Sequence, residues 1–140
     1  MQYSRSFVSL LALAGAIGCG SNTQRIRMSS SPVIPAAQGS VEATGTVNDN
    51  TALAVDVRHL APPERVVPGA TTYVVWVRNT PQGEAQNVGA LQVDGDLNGS
   101  LKTTTPYRSF QLFVTAEATP TVTMPRGQEL FQANVPLERD

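Results

Sequence analysis

From Ser40 onward the chain alternates apolar and polar residues with period two. Val41, Ala43, Gly45 and Val47 alternate with Glu42, Thr44 and Thr46, a spacing that turns one face of a strand to a core and the other to water and does not suit a helix. Leu53, Val55 and Val57 repeat the pattern against Ala54, Asp56 and Arg58. The turn residues Asn48, Asp49 and Asn50 precede this second segment, and Pro62 and Pro63, which cannot donate to a ladder, follow it. Residues 71–78 are apolar on both alternations through Tyr73, Val74, Val75, Trp76 and Val77, which predicts a strand covered on both faces. Segments 88–93 and 101–105 flank Asp94-Gly95-Asp96, a hairpin signal. Phe110, Leu112, Val114 and Ala116 then oppose Gln111, Thr115 and Glu117, and Phe131, Ala133 and Val135 close the series. Seven short strands with no helical period predict an all-β fold, an immunoglobulin-like antiparallel β-sandwich. Its expected core is Leu53, Val55, Val57, Val74, Trp76, Leu91, Phe110, Leu112 and Val114, with Trp76 at the centre. Tyr73, Val75 and Val77 make an equally apolar face, which would be a partner-contact patch if exposed. Tyr107 stands where a sandwich can bond a tyrosine hydroxyl back to the chain at a sheet corner.

The segment before Ser40 has a different character. Arg5 precedes the apolar residues 7–17, and Ala16-Ile17-Gly18-Cys19 ends the run. A charged start, an apolar stretch and small residues before a cut are the parts of an export signal. A membrane-crossing helix needs about twenty apolar residues, and this run is too short. It is similar to a bacterial lipoprotein signal, which implies lipidation (palmitate among the acyl groups) at Cys19 and a membrane anchor in the cell envelope. Gly20 and Ser21 follow the cysteine with no Asp, which by the same resemblance favours the outer membrane over the inner. Without lipidation of Cys19 the product would be secreted. Residues 20–38, rich in Ser, Asn, Thr, Gln and Pro, read as a flexible tether. The expected organisation is therefore a signal peptide at 1–18, a lipidated tether at 19–39 and a β-sandwich domain at 40–140. Cys19 is the sole cysteine, so the domain has no internal disulfide and relies on burial. The formal net charge of −1 excludes a broad basic surface for nucleic acid.

The blocks Tyr73-Val74-Val75-Trp76, Val88-Gly89-Ala90-Leu91, Val114-Thr115-Ala116-Glu117 and Pro125-Arg126-Gly127 resemble the C-terminal extracytoplasmic domain of RskA-like anti-sigma-K factors. The resemblance implies a β-sandwich in the envelope, with a sensing or binding habit. The family's membrane helix and sigma-gripping segment have no counterpart in these residues, so anti-sigma activity is not carried over.

Few residues suggest chemistry. Asp94, Asp96 and Asn98, followed by Gly99, match the first half of a calcium loop. The twelfth position is Thr105 where a bidentate Glu belongs, and a Gly/Asn/Asp turn explains the same letters. His59 is the only histidine and stands beside Asp56 and Arg58, with no Gly-x-Ser-x-Gly or His-Glu-x-x-His motif. It is expected to be exposed at a strand end, and Glu117 to be a solvated outward carboxylate. No cofactor, catalytic residue or small-molecule substrate is inferred. The expectation is a lipid-anchored, non-enzymatic binding or structural module with an envelope protein partner. Its alternatives are an accessory of an extracytoplasmic sigma/anti-sigma system and a small secreted hydrolase.

Overall fold

A computed structural model describes residues 22–136. The strands are β1 (Thr23–Ser30), β2 (Gln38–Gly45), β3 (Thr51–Arg58), β4 (Thr72–Arg78), β5 (Gln86–Ala90), β6 (Gln92–Val93), β7 (Gly99–Thr105), β8 (Ser109–Glu117) and β9 (Phe131–Pro136). One helical turn, α1 (Pro63–Val66), interrupts them. All pairings are antiparallel, in the order β5-β4-β8-β9-β1-β2-β3-β7-β6.

Two layers arise because β1 serves both. Thr23 to Met28 pair with β2, while Ser29 and Ser30 pair with Gln132 and Phe131 of β9. The first sheet is β1-β2-β3-β7-β6 and the second is β9-β8-β4-β5. At the other side Leu91 alone carries the chain from β5 to β6, with its N–H on the Tyr73 carbonyl. The Thr103 hydroxyl also donates to the Val88 carbonyl across this corner. The nine-stranded sheet is thus nearly barrel-shaped, which leaves little open edge.

The period-two reading places the inner face of the first sheet correctly. Val41, Ala43, Leu53, Val55 and Val57 are buried against Leu112, Val114, Phe131 and Val135. Four other expectations are corrected. First, residues 23–30 lie within the stretch read as tether but form β1, and Gln38 and Gly39 already belong to β2. Ile26 and Met28 pack on the core while Arg25 and Arg27 face solvent, and the polar letters around them masked this alternation. Second, the strands among the described residues number nine, because β1 is added and Leu91 splits the segment 88–93 in two. Val47 lies outside any strand, fully exposed in the β2–β3 turn. Third, Tyr73, Val75 and Val77 are entirely buried in the core between the sheets and are no contact patch. Trp76 is buried too, yet with Val74 and Phe113 it lies on the opposite, outer face of the second sheet. Fourth, Glu117 is buried at 3% exposure and is not solvated.

The reason is a covering segment that period-two reasoning does not foresee. Residues 118–130 run back over the second sheet, and Val122 packs against Val74, Trp76 and Phe113. An outward-facing residue is therefore not a wet one here.

Candidate functional site

Beneath the 118–130 segment a chain of polar groups is satisfied internally. The Trp76 indole N–H donates to the Thr115 hydroxyl at 2.9 Å, and that hydroxyl donates to Glu117 Oε2 at 2.9 Å. The Glu117 carboxylate also accepts the backbone N–H groups of Arg126, at 3.0 and 3.1 Å, and Gly127, at 3.2 Å. A side chain at Gly127 would bring Cβ within 2.7 Å of the Ala116 carbonyl, so only glycine allows this approach. Asn87 Nδ2 donates to the carbonyls of Pro120 and Val122, both at 2.9 Å. The Arg78 guanidinium lies 4.5 Å from the Phe113 ring centre and pairs with Glu129 at 2.7 Å. A buried carboxylate filled by backbone and hydroxyl donors holds a loop in place. Its lone pairs are committed to that task.

Tyr73 performs a similar role between the sheets. Its hydroxyl donates to the Ala61 carbonyl just before α1. Burial, reinforced by the nearby Glu64 carboxylate, pushes its pKa up to about 12. The tyrosine that ties back to a connecting segment is therefore Tyr73. The Tyr107 hydroxyl instead accepts from Gln86 Nε2 at 3.0 Å.

The other sequence candidates are scattered. His59 is exposed at the end of β3, with a φ of 57° that turns the chain. Asp94 spends Oδ1 on the N–H groups of Asp96 and Asn98, at 2.9 and 3.0 Å, which closes the β6–β7 turn. Leu97 takes the left-handed conformation there. Among the described residues no three His, Cys, Asp or Glu side chains cluster to hold a metal ion. Cys19 lies outside the described residues.

The outer face of the first sheet is the surface that offers exposed, convergent polar groups. Register aligns its side chains in rows. Arg25, Glu42, Ala54 and Lys102 form one row across β1, β2, β3 and β7. Arg27, Ser40, Asp56, Ser100 and Gln92 form the next, and Gln38 stands beside Arg58 beyond it. An open groove of about 1590 Å³ lies along this face, with Arg25, Arg27, Gln38, Asp56, Arg58 and Asp94 among its walls. Arg25 pairs with Glu42 at 3.0 Å. Arg27 and Arg58 form no ion pair among the described residues.

Sequence reasoning passed over this face because two of its four cations, Arg25 and Arg27, come from β1. Its signal was present in the alternation of Arg25 and Arg27 with Ile26 and Met28. No family model matches this chain, and no curated protein matches it.

Proposed function

We propose that the chain is a lipid-anchored protein of the bacterial cell envelope whose β-sandwich acts as a non-enzymatic binding or structural module. The single observation that carries the anchor is the run of residues 7–17 ending at Cys19 behind Arg5. Three residues separate Cys19 from Thr23, where β1 begins. At no more than about 3.6 Å per residue, Thr23 would stand within roughly 15 Å of a lipid on Cys19, so the module works close to its membrane. The resemblance to sorted lipoproteins favours the outer membrane.

A binding role over catalysis is supported by where the reactive groups sit. Glu117 is occupied in holding a loop, and His59 is exposed with no carboxylate hydrogen-bonded to it among the described residues. We read the fold as an elaborated immunoglobulin-like sandwich. The pairing β2-β3-β7-β6 on one side and β5-β4-β8-β9 on the other follows the A-B-E-D and C′-C-F-G order of that architecture, with β1 added. One observation favours a second reading, an accessory of a sigma/anti-sigma system. Three of the blocks that resemble the RskA-like domain meet in the Trp76, Thr115, Glu117 and Arg126 network. Crosslinking in intact cells would then capture a sigma-regulating membrane protein, and its absence would remove that reading.

The anchor is tested by Cys19→Ala. The variant is expected to leave the membrane fraction and to lose fatty-acid labelling. Retention of both would overturn lipidation.

A further inference from the structure

The described residues carry eight Lys and Arg against nine Asp and Glu, yet these charges are not evenly spread. Arg25, Arg27, Arg58 and Lys102, half of the cations, project from the outer face of the first sheet, where the acids are Glu42 and Asp56, joined at the groove's wall by Asp94. A cationic face on a chain of slight negative charge is positioned to select an anionic partner.

We propose that this face docks an acidic peptide segment of a partner protein, with Arg27 and Arg58 as its principal carboxylate contacts. This deepens the binding-module reading and is independent of the anchor. Arg27 on β1 and Arg58 on β3 flank β2, roughly 10 Å apart across the strands. Their side chains can reach carboxylates lying over Ser40 and Gln38. Guanidinium forks bind carboxylates in paired hydrogen bonds, and among the described residues neither arginine has an ion pair to break in doing so. Gln38, Gln92 and Asn98 line the same groove. Each offers a donor and an acceptor on one amide, which matches a peptide unit. Among the described residues the groove lining has no aromatic ring on which a sugar could stack. Five strands span about 19 Å, the length of roughly six extended residues.

The test uses the purified full chain and fluorescein-labelled hexaglutamate, read by fluorescence anisotropy. Saturable binding is expected, weakening as salt shortens the screening length. Arg27→Gln and Arg58→Gln should each reduce affinity about 5-fold, and the pair about 20-fold, at unchanged circular dichroism. Arg65→Gln, on α1, should leave it unaltered. No saturable binding by the unaltered chain would overturn the proposal. So would an equal loss from Arg65→Gln, which would mean diffuse attraction, or tighter binding of oligogalacturonate of the same charge, which would make the ligand a glycan. If Cys19→Ala stays on the membrane but peptide binding behaves as expected, only the anchor fails.

Discussion

The two sheets turn opposite kinds of outer surface to their surroundings. The second sheet carries Val74, Trp76 and Phe113 on its outer face and hides them beneath residues 118–130. The first sheet carries Arg, Ser, Thr and Ala outward and leaves them open to water. One face consumes its polar groups in fixing a loop, and the other keeps them available. On the proposed reading stability and recognition fall to opposite sides of one core, so substitutions on the two faces should separate these properties.

The largest effect is expected at Trp76. Trp76→Ala removes a fully buried ring stacked on Phe113, with centroids 6.3 Å apart, and leaves the Thr115 hydroxyl without its donor. Urea unfolding should show a loss of about 3–5 kcal/mol; a loss below about 1 kcal/mol would mean that the covering segment adds little. Glu117→Gln keeps the shape but replaces an acceptor with an amide N–H₂ group that can face the N–H groups of Arg126 and Gly127. A loss of about 1–3 kcal/mol is expected, together with faster proteolysis within residues 118–130 and unchanged cleavage at the β6–β7 turn. Equal acceleration at both places would show that the network steadies the whole fold and not the second sheet's cover.

Tyr73 gives a pH-dependent check on the core between the faces. Its folded pKa is raised to about 12 from 10.0, so the folded chain holds this proton more tightly than the unfolded one. The associated stability is complete below about pH 10 and is lost as pH rises through about 12. Tyr73→Phe should be less stable at neutral pH, through loss of the bond to Ala61, but its unfolding free energy should fall less steeply between pH 10 and 12. Parallel curves for the two proteins would refute the burial argument. The smallest effect belongs to the open face. Arg25→Gln breaks an ion pair whose partners are 72% and 40% exposed, and unfolding should change by less than about 1 kcal/mol.

Much of the fold was legible in the sequence because a half-buried strand prints its inner face at every second residue. Leu53, Val55 and Val57, or Phe110, Leu112 and Val114, identify themselves in this way. Residues 23–30 were harder, since only Ile26 and Met28 mark the inward side and the rest resemble a polar linker. The candidate face inherits that difficulty. Asp56 and Arg58 stood out beside His59, but Arg25 and Arg27 gained meaning only once β1 was paired with β2.

Trp76 and Glu117 show the limit most directly. Both lie on the outer side of the second sheet; alternation turns Glu117 outward, but with both faces of 73–77 apolar it puts Trp76 at the centre of the core. Period two states which face a residue shares, whereas its burial depends on a segment distant in sequence folding over it. The residues by themselves determined an all-β chain, its turns and the inner face of strands such as β3 and β8, because backbone geometry and solvation act locally. Tertiary structure alone decided that Tyr73, Val75 and Val77 point between the sheets, that Trp76 lies beneath residues 118–130, and that Arg27 and Arg58 share an open groove. Those outcomes depend on contacts between strands far apart in the chain, which no local spacing encodes.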